Sequence, residues 1–312
     1  MNSSKITPGT EDPQPSRTAG LRTIAQPPAD LAAQVENALA EDIGTGDLTA
    51  ALIPAALRGR ATVITREAAV LCGRPYVDAV FAALDPEVRI HWAAEEGDEL
   101  APGQALFTVE GRARVLLTGE RTALNFLQLL SATATAAHKF AAAVRGTGCI
   151  VLDTRKTIPG LRTAQKYAVR VGGAQNHRLG LFDAILIKEN HIIAAGGIGA
   201  AVARARAAHA GAPVEVEVET LDELREAIDA GADSALIDEF APAQMREAVA
   251  INRAARRPLK IEASGGVDEK TVRAIAETGV DYVSIGALTK HVRAVDLSMR
   301  FEWAEPESIP GA

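Results

Sequence analysis

The sequence contains little cysteine, few aromatic residues and no excess of positive charge. Only two of its 312 residues are cysteine, Cys72 and Cys149, and their wide separation argues against both a metal-binding pair and a disulfide framework. The formal net charge is −7, whereas proteins that bind nucleic acids present basic surfaces to the phosphate backbone. We therefore expect two buried thiols and no nucleic-acid partner.

Long apolar runs are also missing. Every Ala-rich segment is interrupted by Arg, Glu or Gly, so none approaches the roughly 20 apolar residues that span a bilayer. Residues 1–28 are rich in Pro, Ser, Thr and Gln and lack the apolar stretch of a signal peptide. These absences predict a cytoplasmic protein that does not contact the membrane, with a disordered tail at residues 1–28.

The segment after the tail predicts a compact α+β domain. Asp30 is expected to cap a helix that ends near Gly44. A second helix is predicted at Tyr76–Leu84. Turn signals bound short β-type runs, which we place at Ala61–Thr65, Val88–Trp92 and Ala105–Val109. The Ala- and Leu-rich segment Gly119–Val144 has no further Gly or Pro, which suits one long helix or two consecutive helices.

From Gly148 onward, short apolar runs alternate with amphipathic helical segments. This alternation predicts parallel strands with crossover helices, for example at Ala200–Ala208, Leu221–Ala230 and Lys270–Thr278. Six successive units favour an α/β barrel, although the pattern also allows an open doubly wound sheet without a dinucleotide-binding glycine turn. The predicted strands are Cys149–Asp153, Ala184–Lys188, Val214–Glu219, Ala235–Asp238, Lys260–Ala263 and Tyr282–Ile285.

Charged or small polar residues follow nearly every predicted barrel strand, where barrel enzymes have their active sites. By themselves, Arg155 and Lys156 could equally belong to a solvated loop. The neighbouring cations change this interpretation, because positive side chains gathered at one edge would repel each other unless anions or carboxylates offset them. We expect an anion-binding site formed by Thr154, Arg155, Lys156, His177, Arg178 and Lys188.

Carboxylates form the other predicted wall of this site. Residues two apart share one face of a strand, so Glu215, Glu217 and Glu219 point the same way and the intervening valines point into the helical layer. Buried carboxylates require cations, and Lys156 and Lys188 are the expected partners. Glu217 and Asp238 are best placed to hold ribose hydroxyls or a hydrated Mg²⁺ carried by a phosphorylated substrate.

The last two strands end in turns of serine and glycine. Backbone N–H groups and hydroxyls in such turns can surround a phosphate. One Ser-Gly-Gly turn is a weak signal, but two at neighbouring strands favour a phosphate site. The predicted phosphate ligands are Ser264, Gly265, Gly266, Ser284 and Gly286.

Together these segments resemble the family of quinolinate phosphoribosyltransferases, also called nicotinate-nucleotide pyrophosphorylases (carboxylating). The resemblance extends over essentially the whole chain after the tail, and such a long ordered match is far more specific than any single motif. The segments that carry it are residues 41–49, 119–125, DTRKTIPGLR at 153–162, GGAQNHRLGLFDAILIKENH at 172–191, EVEVE at 215–219, EASGG at 262–266 and IGALT at 285–289.

The resemblance implies an N-terminal α/β sandwich at residues 29–131, with residues 296–312 packing back on it, and an incomplete, open parallel α/β barrel at residues 132–295. It also implies at least a homodimer with a shared active site. The reaction would convert quinolinate and phosphoribosyl pyrophosphate into nicotinate mononucleotide, pyrophosphate and CO₂ for NAD biosynthesis. Mg²⁺ would accompany the phosphoribosyl pyrophosphate, and no organic cofactor would be needed.

The resemblance assigns roles to the same residues. Arg121 would reach into the partner's site, and the cations named above would line the quinolinate and phosphoribosyl sites. Glu217 and Asp238 would hold ribose and Mg²⁺, and the two Ser-Gly turns would hold the 5′-phosphate. The catalytic set would be Lys156, Lys188, Glu217 and Asp238.

Four residues depart from the family's usual pattern. Ala174 stands where Gly is common, Glu239 where Asn is usual, and Lys290-His291 where His-Ser is frequent. None of them is an expected core ligand. Glu239 adds negative charge beside the expected metal side of the site.

Two other functions compete with this interpretation. A phosphoribosyltransferase of the same fold that acts on nicotinate would need fewer cations than this chain supplies. A biotinyl- or lipoyl-type carrier hairpin around Gly97-Asp98 would need a lysine, and the sequence has none between Lys5 and Lys139. A metal site formed by His177 and His191 is a weak prediction, because a strand separates them and no cysteine is near.

Overall fold

A computed structural model describes residues 25–303 of the chain. Residues 1–24 and 304–312 lie outside this range, and with them most of the predicted tail. The described residues form two main sheets, each with its own helices and its own apolar core, and a third sheet of two short strands. No helix within residues 25–303 combines the length and apolarity needed to cross a bilayer.

The N-terminal half is built around an antiparallel sheet of four strands. Their order is β12-β1-β5-β3, so the strand at the chain's end, β12 (Leu297–Trp303), pairs with β1 near its beginning. The remaining elements of this half are α1 (Leu31–Ile43), a 3₁₀ turn (Ala50–Leu52), β1 (Arg58–Thr65), β2 (Ala69–Val70), α2 (Arg74–Leu84), β3 (Arg89–Trp92), β4 (Glu99–Leu100), β5 (Ala105–Arg112) and α3 (Ala113–Ala143).

The long helix α3 connects the two halves as a single helix and runs through the expected domain boundary at residue 131. Small residues allow its close packing. A Cβ at Gly119 would lie 2.8 Å from Phe81 Cε1 on α2, and one at Gly172 would lie 2.3 Å from the Ala134 carbonyl oxygen. Gly172 follows directly after α4 (Arg162–Val171). α3 therefore packs on both neighbouring helices with little space for side chains between them.

The C-terminal half is an open parallel barrel of six strands in the order β6-β11-β10-β9-β8-β7. Within the described residues, β6 and β7 do not pair as strands, and one isolated bridge joins Leu152 to Gln175. The incomplete barrel is confirmed. Its further elements are β6 (Ile150–Leu152), β7 (Ile185–Ile187), α5 (Glu189–Ala195), α6 (Ile198–Ala208), β8 (Val214–Val218), α7 (Leu221–Asp229), β9 (Ser234–Asp238), α8 (Pro242–Ala254), β10 (Lys260–Ser264), α9 (Val272–Ala276), β11 (Tyr282–Ser284) and α10 (Ala287–Lys290).

The predicted alternation along β8 is confirmed. Val214, Val216 and Val218 have no exposed surface and belong to the core between strands and helices. Glu215 and Glu217 occupy the opposite face, which is the inside of the barrel. Because the valines of β8 pack against the helices, the two carboxylates of this strand point into the barrel.

Asp30 occupies the predicted N-cap position of α1, and Gly44 is the C-cap. Asp30 precedes α1, but its side chain makes no capping hydrogen bond. Its Oδ2 instead accepts hydrogen bonds from Gln34 Nε2 at 3.0 Å and from Thr163 Oγ1 at 2.9 Å. The carboxylate thus joins α1 to α4, a tertiary contact that local sequence does not indicate.

Candidate active site

The carboxyl ends of the barrel strands surround two adjoining cavities. The small cavity, of about 270 Å³, is lined by residues on or directly after all six barrel strands. The large cavity, of about 670 Å³, lies beside β10 and β11. Five residues line both: Thr154, Lys156, Asp238, Ser264 and Ser284. The small cavity adds Arg155, His177, Arg178, Lys188 and Glu217, and the large cavity adds Gly265, Gly266 and Gly286.

Two guanidinium groups approach each other in the small cavity. Burial, together with the positive charge of nearby Arg155, lowers the pKa of Arg178. Arg155 Nε is buried and has no hydrogen-bond partner within the described part of the chain. Like charges and a free buried donor are costly unless an anion binds between them, so this wall is suited to a carboxylate ligand.

A buried ion pair holds the loop that carries His177 and Arg178. Lys166 on α4 and Asp153 after β6 are both nearly inaccessible, and their side chains form a salt bridge. Lys166 Nζ also donates to the His177 carbonyl oxygen at 2.9 Å. Asp153 accepts from the His177 backbone N–H at 2.9 Å and from Asn176 Nδ2 at 2.7 Å. The ion pair therefore fixes the backbone on which the cationic side chains stand.

His177 forms a triad with two carboxylates below the small cavity. Its Nε2 lies 2.9 Å from Glu215 Oε2 and 3.3 Å from Glu262 Oε2. Burial alone would lower the pKa of His177, but the hydrogen bonds to Glu215 and Glu262 outweigh it and raise this pKa to about 10. Burial is also the main reason why the pKa of Glu262 is raised. The triad as a unit therefore keeps a proton at neutral pH.

Both ring nitrogens of His177 have partners inside the protein. The backbone N–H of Arg178 donates to Nδ1 at 2.7 Å, which favours a proton shared between Nε2 and the carboxylates. His177 contact with a substrate therefore stays a prediction. Sequence reasoning missed Glu262, whose only signal was its place on the same strand face as Ser264 in the EASGG segment.

Of the two carboxylates on β8, one has the expected lysine partner and the other does not. Glu217 pairs with Lys188, as predicted. The salt bridges within residues 25–303 do not include the expected pairing of Lys156 with a β8 carboxylate, and Glu215 is satisfied by His177 and by Ser234 Oγ at 3.0 Å. Contact of Lys156 with a substrate stays a prediction. Glu219 is exposed at the start of α7, where its backbone N–H donates to Glu223. Lys156 extends instead beside Gly286, where a Cβ would lie 3.0 Å from Lys156 Cδ.

The expected Mg²⁺ ligands fit an oxygen-binding cation. Glu217 and Asp238 stand on neighbouring strands and both line the small cavity. Mg²⁺ is commonly held by one or two carboxylates together with substrate phosphates, and two carboxylates suffice for that mode. The tightest group of metal-type side chains within residues 25–303 is a different one, the triad of His177, Glu215 and Glu262.

Glycines shape the floor of the large cavity. Gly265 and Gly266 have φ angles of 98° and 54°, a region that residues with side chains rarely adopt. Ser264, Ser284 and Gly286 line the same cavity from the ends of β10 and β11. The two predicted Ser-Gly turns therefore lie together, with bare backbone facing a space large enough for a phosphate.

Arg121 lies apart from the other predicted ligands. It is exposed on α3 and lines neither cavity. One turn earlier on the same helix, Thr118 Oγ1 donates to Asp47 Oδ2 at 2.8 Å. Arg121 is therefore on the side of α3 that meets the segment around Asp47.

Comparison with known proteins agrees with this geometry. Residues 133–300 match the model of the quinolinate phosphoribosyl transferase C-terminal domain, and residues 47–131 match that of the N-terminal domain. A Bacillus subtilis protein named "Probable nicotinate-nucleotide pyrophosphorylase [carboxylating]" is 41% identical over 83% of this chain and 89% of its own. A tobacco protein named "Quinolinate phosphoribosyltransferase [decarboxylating] 2b, mitochondrial" is 36% identical over 90% of this chain and 85% of its own.

A solved structure also matches this chain. The nicotinate-nucleotide pyrophosphorylase of Francisella tularensis is 46% identical and superposes with a TM-score of 0.85, covering 89% of this chain and 99% of that one. Both halves of the chain are thus matched in sequence and in architecture. The chain belongs to the quinolinate phosphoribosyltransferase family.

Proposed function

We propose that the protein is a quinolinate phosphoribosyltransferase (decarboxylating) that forms nicotinate mononucleotide, pyrophosphate and CO₂ from quinolinate and phosphoribosyl pyrophosphate. The observation that carries this proposal is the meeting of Arg155, Arg178 and Lys188 in the small cavity, directly beside a cavity floored by glycine. A doubly carboxylated ring needs several cations, and a sugar phosphate needs bare backbone N–H groups.

The ring site is assigned to the small cavity. Arg155 has a free buried donor, and the pKa of Arg178 is lowered by burial and by that neighbour. Two arginines that line one cavity can each form a bidentate contact with one carboxylate. This wall supports quinolinate over nicotinate, because nicotinate has one carboxylate and would leave part of the positive charge unpaired.

The chemistry follows from where charge develops. The ring nitrogen attacks C1 of the ribose while the bond to pyrophosphate breaks, and the bonding electron pair leaves with pyrophosphate. The sugar gains positive charge in this step, which the carboxylates of Glu217 and Asp238 can stabilise. Lys156, beside the phosphate turns, can stabilise the departing negative charge.

Decarboxylation then needs no further cofactor. The ring nitrogen bonded to ribose is positive, so it stabilises the electron pair left on the adjacent carbon when CO₂ departs. That carbon takes up a proton to complete the product. Mg²⁺ bound with phosphoribosyl pyrophosphate would neutralise phosphate charge, and Glu217 and Asp238 are the residues that would hold it.

A homodimer with a shared site is part of the proposal. Leu48 and Leu52 are 88% and 81% exposed, and Leu181 and Phe182, close in sequence to Arg178, are 75% and 84% exposed. Large exposed apolar groups commonly mark interaction surfaces. Leu48 is next to Asp47, whose contact with Thr118 brings it to the side of α3 that carries Arg121. Pairing these two surfaces would bring Arg121 toward a partner's small cavity.

Complementation tests the shared site. Arg121→Ala and Lys188→Ala homodimers should each be nearly inactive, because each lacks a cation in every site. Mixing the two after partial denaturation should form hybrid dimers with one intact site and restore up to about a quarter of wild-type activity. Absence of restored activity, with hybrid formation verified by native mass spectrometry, would refute the shared site.

The reaction itself is tested by measuring nicotinate mononucleotide formed from quinolinate, phosphoribosyl pyrophosphate and Mg²⁺. Nicotinate in place of quinolinate is the control substrate, and EDTA tests the need for Mg²⁺. Turnover of nicotinate at an equal rate would favour the alternative phosphoribosyltransferase. We also propose a cytoplasmic location for the protein.

A further inference from the structure

Two uncharged polar side chains are completely buried near the two cavities. Gln165 on α4 and Thr289 on α10 have no exposed surface, and neither lines the small or the large cavity. Gln165 Nε2 donates to the Thr289 carbonyl oxygen at 2.8 Å, which lies in the last turn of a helix, where carbonyl oxygens lack partners within the helix. Buried polar groups cost free energy unless hydrogen bonds compensate them, so the other polar atoms of this pair need partners as well.

Those partners lie in the loop after β6, which carries Lys156. Thr289 Oγ1 donates to the Lys156 carbonyl oxygen at 2.9 Å, and the backbone N–H of Ile158 donates to Gln165 Oε1 at 2.8 Å. The bonds of Thr289 join residues that are 124 and 133 positions apart in sequence. The pair therefore fixes the loop to α4 and to α10 at two positions, Lys156 and Ile158.

The segment after β11 also guides the Lys156 side chain. A Cβ at Gly286 would lie 3.0 Å from Lys156 Cδ, so the stem of the lysine lies against backbone that has no side chain. Gly286 is the N-cap of α10 and Thr289 follows three residues later, which places both on the same side of this helical turn. One turn of α10 therefore contacts Lys156 twice, at its carbonyl oxygen and along its stem.

Resting on the proposed function, we infer that Gln165 and Thr289 are positioning residues for Lys156: their buried hydrogen bonds keep its ammonium beside the end of β11, where it can act on the departing negative charge. No salt bridge found within residues 25–303 involves Lys156, so backbone and stem contacts determine where the ammonium lies. Misplacing a group that acts on the transition state by about 1 Å can lower the rate about 100-fold. The pair therefore affects the reaction without touching the substrate.

Thr289→Val tests the inference, because valine keeps the shape of threonine and removes the hydroxyl. We expect kcat for quinolinate conversion to fall about tenfold. The KM for quinolinate should change less than about twofold, because the Lys156 N–H remains bonded to Thr154 Oγ1 at 3.1 Å and this turn holds Arg155 in the small cavity. Thr289→Ser keeps the hydroxyl and should retain kcat within about threefold of wild type.

A second variant and a matched control accompany these measurements. Gln165→Met has a side chain of similar length without the amide, so it should show the same kinetic pattern as Thr289→Val, and it is judged by the same criteria if Thr289→Val does not fold. Thr278 is also buried, and its Oγ1 donates to the Ile275 carbonyl oxygen at 2.6 Å, but it lines neither cavity. Thr278→Val should lower the melting temperature as Thr289→Val does and leave kcat unchanged.

Amide hydrogen exchange tests the same inference without turnover. The Ile158 amide of the full-length protein, followed by NMR, should exchange about tenfold faster in Gln165→Met and in Thr289→Val than in wild type, because the loop loses an anchor. In Thr278→Val the Ile158 amide should exchange at the wild-type rate.

The inference is overturned if Thr289→Val keeps the wild-type kcat, if it changes kcat and the KM for quinolinate by the same factor, or if Thr289→Ser is as slow as Thr289→Val. Unchanged exchange of the Ile158 amide in Gln165→Met would overturn it as well. Failure of the proposed function has a different signature, since the wild-type protein would then not turn over quinolinate, while the exchange rates would still report whether the pair holds the loop. Normal wild-type turnover with unaltered kcat in Thr289→Val rejects the positioning role alone.

Discussion

The small and large cavities present different groups to an anion. The small cavity relies on charged side chains supported by buried groups, namely the Lys166–Asp153 ion pair and the triad of His177. The large cavity relies on glycine backbone, with exposed carboxylates and lysines around it. A rigid aromatic diacid requires fixed cations at fixed distances, whereas a flexible phosphate needs donors and a correct overall charge. Rigidity is therefore concentrated where the ring would bind.

The largest expected effect comes from breaking the buried support of the small cavity. Lys166→Met removes the partner of Asp153 and leaves a carboxylate without a cation where both side chains are almost fully buried. Losing one member of a buried ion pair costs about 3–5 kcal/mol. We expect a loss of this size in the free energy of unfolding, measured by urea denaturation.

Lys260→Met is the matched control for this experiment. It breaks the pair with Asp281, in which the lysine side chain is 59% exposed, and exposed pairs contribute about 0–1 kcal/mol. Equal losses in the two variants would show that the small cavity has no special buried support.

The second-largest effect is expected from removing one of the cations of the small cavity. Arg155→Ala should lower kcat/KM for quinolinate about 100-fold or more, since truncating one side of a desolvated charge pair costs about 2–5 kcal/mol. The melting temperature should stay near that of wild type, because Arg155 Nε has no protein partner to lose. Steady-state kinetics and thermal unfolding measure the two quantities.

Arg204→Ala removes an exposed arginine of α6 and should leave kcat/KM unchanged. Near-normal quinolinate turnover in Arg155→Ala would contradict the assignment of the ring to the small cavity. The same reasoning applies to Lys188→Ala, whose partner Glu217 would then be left without its cation.

Sequence alone was enough to predict the framework of this site. The six barrel strands were predicted to within one residue at either end, because buried parallel strands are short apolar runs that end in polar residues. The strands β2, β4 and β12 were not predicted. The first two have only two residues each, and β12 is defined by pairing with β1, which is distant in sequence.

The partners of the charged residues could not be predicted in the same way. Strand periodicity indicated that Glu215 and Glu217 point inward, but which cation meets which carboxylate depends on side-chain reach across the barrel. The expected pairing of Lys156 with a β8 carboxylate is therefore absent from the salt bridges within residues 25–303. Lys166 and Glu262 were missed because nothing in their local sequence distinguishes a buried charge from an exposed one. Only the packing of α4 and β10 determines their burial.

A smaller effect is expected in the large cavity. At Gly265, φ is 98° and an added Cβ would clash with the Glu239 carboxylate. Gly265→Ala should raise the KM for phosphoribosyl pyrophosphate about tenfold, equivalent to about 1.4 kcal/mol, with less change in the KM for quinolinate. A double variant with Glu239→Gly removes the contact with the carboxylate but keeps the 3.0 Å contact with the backbone nitrogen of residue 239 and the strain at position 265, so it should recover part of the loss. Equal changes in both KM values would indicate that the two cavities are not separate binding regions.

The smallest expected effect is a pH dependence that belongs to the small cavity. The pKa of His177 is raised to about 10 against the opposing effect of burial, so protonation of the triad stabilises the folded state. For a group with a raised pKa, this stabilisation is complete below the unfolded value near 6.5 and is lost as pH rises toward the folded value. The free energy of unfolding lost in His177→Gln should therefore be larger at pH 6.5 than at pH 9.5, by about 1 kcal/mol or more.

His209→Gln, at an exposed position after α6, serves as the control in the same urea titrations. A loss that is equal at both pH values would mean that the triad takes up no additional proton when the protein folds.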